Sequence, residues 1–140
     1  MANLKQAKKW LERASSDYAD ATVLDKHTWP KSVETICYLC QQATEKSLKS
    51  ILVYNEEEVP KTHNIRELMN RCAKYDSSIK MDGRIVNKMT DFATASRYPD
   101  NMNEWTEEDT KLGLKHSKQI LDMVALYLEN ANEEQNDNLG

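Results

Sequence analysis

The sequence has only three glycines and three prolines in 140 residues. With so few breaking residues, a fold of many short strands joined by tight turns is excluded, and long helices are expected. No run approaches ~18 apolar residues, so no membrane-spanning helix is expected. The first ten residues, MANLKQAKKW, lack the apolar core of a secretory leader. A reduced, cytoplasmic location is the expectation. Cysteine is also scarce. Three is an odd number, and Cys37 and Cys40 form a C-x-x-C on helical spacing with no strand before it. Thioredoxin-like chemistry needs that strand, and a structural zinc site usually takes four ligands. Both cysteines read as small core residues, and neither a metal nor a cofactor is expected. Excess charge is small as well. The net charge is −4, and the segment from Glu129 to Gly140 carries four acids (Glu129, Glu133, Glu134, Asp137) and no base. Without that segment, 19 acids face 19 bases. A neutral body argues against a broad basic surface for non-specific nucleic-acid binding, while leaving room for a local basic site.

What the sequence does have is helical periodicity. From Ile36 to Tyr54 there is neither Pro nor Gly, and Ile36, Cys40, Ala43, Ser47, Ile51 and Tyr54 recur at spacings of three and four. A helix stacks these on one face. Gln41, Glu45 and Lys49 fall on the opposite side, and Glu45 precedes Lys49 by four residues, the favourable order for an ion pair. Leu48 and Leu52 occupy a third sector. This helix is therefore expected at the centre of a bundle, or shared between a bundle and a dimer contact.

The rest follows in order. Asn3 caps a first helix reaching about Asp25, with Ala7, Trp10, Leu11, Ala14, Tyr18 and Ala21 inward. A short link through Trp29 and Pro30 makes the first two long helices antiparallel neighbours. After a polar loop, Asn64 and Glu67 read as a capping box for a short helix through Ile65, Leu68, Met69 and Cys72. A helix from about Ser78 or Ile79 to Ser96 places Ile85, Met89, Phe92, Ala93 and Ser96 on one face. Pro99 ends it. Thr106 and Asp109 cap a last long helix with Leu114, Ser117, Ile120, Leu121, Val124 and Leu128 inward. The fold class is all-α: an antiparallel four-helix up-and-down bundle with one extra short helix. One domain spans residues 1–130, and residues 131–140 are expected to form a disordered acidic tail.

Three segments stand in order along this chain: QQATEKSLK from Gln41 to Lys49, PKTHNI from Pro60 to Ile65, and ASRYPD from Ala95 to Asp100. With Trp10 and Ala14, they resemble the HEPN family (higher eukaryotes and prokaryotes nucleotide-binding), in its stand-alone prokaryotic type. The resemblance runs from about Leu4 to Leu128. It implies a dimeric helical module, with a homodimer expected. It also implies functions seen across the family: RNase, toxin of a toxin–antitoxin pair, partner of a small nucleotidyltransferase, or nucleotide binder.

The catalytic form of the family carries an Arg followed within a few residues by a His. Metal-independent RNA cleavage needs a group to move the 2′-hydroxyl proton, which His suits near neutral pH. It also needs a fixed cation to hold the phosphate, which Arg supplies. Here Arg97 is present, but Tyr98 to Trp105 contains no His, and His27, His63 and His116 all lie outside the motif. The resemblance therefore implies a non-catalytic module binding a nucleotide, RNA or a nucleotidyltransferase. The alternative is an RNase of degenerate motif, so whether the chain is an enzyme stays open. Arg97 and Glu45 are the catalytic candidates. Lys46, Lys49, His63, Arg97, Tyr98 and Asp100 are the candidates for binding a nucleotide or phosphate. Each has a plainer reading: a helix C-terminal Arg paired with Asp100, a Tyr packed across its loop, solvated lysines, a Glu45–Lys49 pair, and a local loop bond for His63.

Overall fold

Side-chain caps fix where helices begin in the computed structural model of the chain, which describes residues 3–95 and 105–139. Asn3 Oδ1 accepts from Gln6 N at 3.2 Å and opens α1 (Leu4–His27). Asn64 Oδ1 accepts from Glu67 N at 3.2 Å and opens α3 (Ile65–Ala73). Thr106 N donates to Asp109 Oδ2 at 2.8 Å and Asp109 N returns to Thr106 Oγ1 at 3.4 Å, opening α5 (Glu107–Leu139). Each cap gives a partner to a backbone N–H that the helix cannot satisfy. α2 (Val33–Tyr54) and α4 (Gly83–Ala95) complete the order. The fold is all-α, a four-helix bundle of α1, α2, α4 and α5 with α3 as the short extra helix. None of the described helices is long and apolar enough to cross a membrane.

Helix α2 is the core of the bundle and touches each of the other four helices. Ala7, Ala14 and Ala21 of α1, seven residues apart, are fully buried. Residues this small let α1 lie close to α2. Trp10, Leu11 and Tyr18 flank that stripe half-buried. The buried hydroxyls of α2 bond back to their own helix: Thr44 Oγ1 to Cys40 O at 2.9 Å and Ser47 Oγ to Ala43 O at 2.7 Å. They can therefore enter the core without an unmet donor.

Three expectations change. Leu48 and Leu52 do not offer a face to a second subunit: both are fully buried within the chain. α3 covers that side, where Cys72 Sγ lies 3.3 Å from Leu48 O. α4 begins at Gly83, not near Ser78, because Asp82 Oδ1 accepts from Arg84 N at 2.8 Å and starts the helix there. The acidic segment read as disordered is instead the end of α5, helical to Leu139. Neither Pro nor Gly interrupts it before Gly140, and Ala131 still packs on the core.

Candidate functional site

Gln41, Glu45 and Lys49 form a line along α2 at i, i+4 and i+8. The line is not solvated. Gln41 is 0%, Glu45 4% and Lys49 6% exposed. A buried charge is tolerated only when paired and hydrogen-bonded, and that is what the surroundings provide. Lys49 Nζ donates to Glu45 Oε2 at 3.0 Å, and Gln41 Nε2 donates to Glu45 Oε1 at 3.1 Å. The polar connection between α2 and α3 then crosses over the line and sets His63 Nδ1 2.7 Å from Glu45 Oε1. Gln42 Nε2 donates to Gln41 Oε1 at 2.7 Å and completes the chain of bonds. Thr90 Oγ1 of α4 accepts from Ile65 N at 3.2 Å and pins the backbone just after His63.

Burial pushes the Glu45 carboxyl up, but the hydrogen bonds from His63, Lys49 and Gln41 outweigh it and hold the group below its usual range. An ionised carboxylate only accepts, so His63 carries its proton on Nδ1. The ring is half exposed. In its neutral form Nε2 is then the basic nitrogen, and Glu45 fixes both tautomer and orientation.

The structure thus brings Glu45, Lys49 and His63 together. Lys46 is separated from them by its own partner: its Nζ bonds Asp17 Oδ2 on α1 at 2.6 Å. Arg97, Tyr98 and Asp100 lie outside the described residues. His63 makes a bond to Glu45, eighteen residues away, rather than a local loop bond. Gln41 belongs to the group but was not among the candidates; its place four residues before Glu45 was the available signal. Nothing in the sequence pointed to Thr90. Cys37 and Cys40 are buried, and burial pushes each thiol up to about 12, so neither is a thiolate at neutral pH. No group of three His, Cys, Asp or Glu that could hold a metal ion occurs among the described residues.

A family model for the HEPN domain matches residues 7–132. The chain belongs to the HEPN domain family. Two solved structures share the HEPN-domain fold seen here. One is TT1696 from Thermus thermophilus, 22% identical, covering 87% of this chain and 98% of that one, with a TM-score of 0.68. The other is ST0689, described as an archaeal HEPN homologue, 24% identical, covering 87% and 97%, with a TM-score of 0.62. A search of curated proteins gave no match.

Proposed function

We propose that this HEPN domain is a dimeric, non-catalytic binding module. It takes a nucleotide or RNA, or a small nucleotidyltransferase in a toxin–antitoxin-like setting, at the edge of α2 where His63 is exposed. The observation that carries this reading is the state of Glu45. Its oxygens are bonded to Lys49, Gln41 and His63, and its carboxyl is held below the usual range. A group that exchanges protons during catalysis needs a value near the working pH. Glu45 instead orients His63, whose imidazole faces solvent beside the N-terminus of α3. Arg97, Tyr98 and Asp100 are proposed to complete the phosphate contacts. Isothermal titration with mononucleotides, short RNA and a candidate nucleotidyltransferase tests the proposal. Saturable heat that His63→Ala removes is expected. Silence in every titration, with RNA turnover present, overturns it.

One observation favours a second reading, a metal-independent RNase. The pair of His63 and Glu45 supplies a proton acceptor that the Arg97 segment lacks. In that reading Nε2 takes the 2′-hydroxyl proton and the 2′-oxygen attacks phosphorus. The bond to the 5′-oxygen breaks, and that oxygen takes a proton from water, whose hydroxide recovers one from the His63 imidazolium. Arg97 holds the phosphate. The products are a 2′,3′-cyclic phosphate and a free 5′-hydroxyl. Cleavage in EDTA that disappears in folded His63→Ala supports it; cleavage that persists in that variant rejects it.

A further inference from the structure

The neutral overall balance conceals an uneven one. Residues 61–88 hold seven Lys or Arg against three acids, in a chain whose net charge is −4. In the fold this segment is the last residues of the α2–α3 connection, α3, the next connection and the first half of α4. Two shallow grooves flank the outer side of α3, of about 470 and 420 Å³, and Arg66 and Asn70 line both. Arg71 and Lys74 extend the first and Lys80 the second, while Glu67 is the one acid lining either among the described residues.

These charges are partly compensated: Lys74, Arg84 and Lys88 pair with Glu57, Asp82 and Asp109, and Arg71 lies in the field of Glu57. The Arg66 guanidinium is held by neutral acceptors, Gly83 O at 3.2 Å and Asn87 Oδ1 at 3.1 Å, which aim it without cancelling it. Arg71 and Lys80 form no ion pair among the described residues. Lys74 is shared with Glu57 at 3.1 Å.

We propose that the outer face of α3 is a track for the backbone of single-stranded nucleic acid. Chemistry selects this partner over an acidic protein. Stable protein interfaces centre on apolar or aromatic anchors. The exposed large hydrophobic residues among those described, Val23, Trp29 and Leu126, all lie on other elements. The first groove, of Arg, Lys and Asn with one Glu, suits phosphates, while Met69, Ala73, Ile79, Met81 and Val86 give the second an apolar floor beneath Arg66 and Lys80. α3 is ~14 Å long at 1.5 Å per residue, a short path fitted to a few nucleotides. An aromatic ring stands half exposed just before the N-terminal end of α3, that of His63, on which a base can stack.

This rests on the reading that the domain takes phosphate-bearing ligands, and the two fail separately. The probe is a 5′-fluorescein, 20-nucleotide single-stranded RNA, followed by anisotropy between 50 and 200 mM salt. Arg66→Ala, Arg71→Ala and Lys80→Ala are each expected to lower the slope of log affinity against log salt by ~0.7, and the triple variant by ~2. Lys9→Ala, an exposed lysine on α1, should leave it unchanged. Wild-type binding by a folded triple variant overturns the proposal. So does the absence of RNA binding at 50 mM salt. A salt-sensitive self-association lost in the triple variant would assign the face to an acidic protein surface and equally overturn it. RNA binding that depends on Arg66 and Arg71, with no nucleotide heat at His63, leaves the track standing and removes the site at α2.

Discussion

Glu45 and Lys49 are 3.0 Å apart and almost fully enclosed, so removing the Glu45 carboxylate leaves the Lys49 ammonium buried without an ionic partner among the described residues. Removing one member of a buried pair typically costs about 3–5 kcal/mol, whereas replacing both with apolar groups is often close to neutral. Glu45→Leu is therefore expected to lose about 3–5 kcal/mol in urea unfolding. The double variant Glu45→Leu, Lys49→Met should recover most of it. Acid titration gives a second test. The folded carboxyl lies below its ordinary value, so the unfolded chain binds the proton first as pH falls. The stabilisation is complete above about pH 4.3 and is lost as pH drops through the lower, folded value. The wild-type urea midpoint should fall more steeply below that pH than the midpoint of the double variant. Equal steepness would show that Glu45 is not held ionised by the fold. The same residue marks a limit of the sequence. Periodicity separated the Glu45 side of α2 from the apolar side, and spacing paired it with Lys49. It could not show that a loop eighteen residues downstream closes over that side. What covers a face is a long-range matter, and local spacing carries no record of it.

At the scale of the element, α5 meets α2 at Gly113. A Cβ there would lie 3.2 Å from Cys40 Cβ and 3.3 Å from Cys40 Sγ. Two effects oppose. Alanine gains about 1 kcal/mol of helix propensity over glycine. Overpacking a tight core costs about 1–3 kcal/mol. Cys40 is fully buried, so it has little room to yield. Gly113→Ala should therefore destabilise by about 1 kcal/mol net, read as a lower midpoint in thermal or urea unfolding. A gain in stability would show that the two helices separate easily. Helix existence was legible because it depends on short-range signals: the caps Asn3, Asn64 and Thr106 with Asp109, and the apolar stripes of α3 and α5. Two boundaries were not. Asp82 starts α4 by accepting from Arg84 N, a contact that competes with the earlier start suggested by Ser78 and Ile79. The acidic residues after Leu128 have a composition that suits disorder. They stay helical because they extend an already nucleated helix, where each added residue needs no new nucleus.

At the scale of the whole molecule, burial of Leu48 and Leu52 inside the chain moves the expected dimer contact elsewhere. Trp29 is the most exposed large apolar residue among those described, at 88%, in the connection between α1 and α2. Two residues on, a groove of about 450 Å³ is lined by residues 31–35 and Trp105. Trp105 packs edge-on against Phe92 of α4, with ring centroids 5.0 Å apart. Trp29, this groove and Trp105 therefore share one end of the bundle. A partner copy docked here would cover Trp29 and this groove. Tryptophan is among the residues that dominate interface energy, with truncation at a hot spot costing about 2 kcal/mol or more. Trp29→Ala is accordingly expected to weaken dimerisation at least ~10-fold in sedimentation equilibrium, with unfolding of the monomer unchanged. Leu126→Ala, at an exposed position on α5 away from that end, should leave the dimer intact. If Leu126→Ala dissociates the dimer and Trp29→Ala does not, the subunits meet along the flank of the bundle.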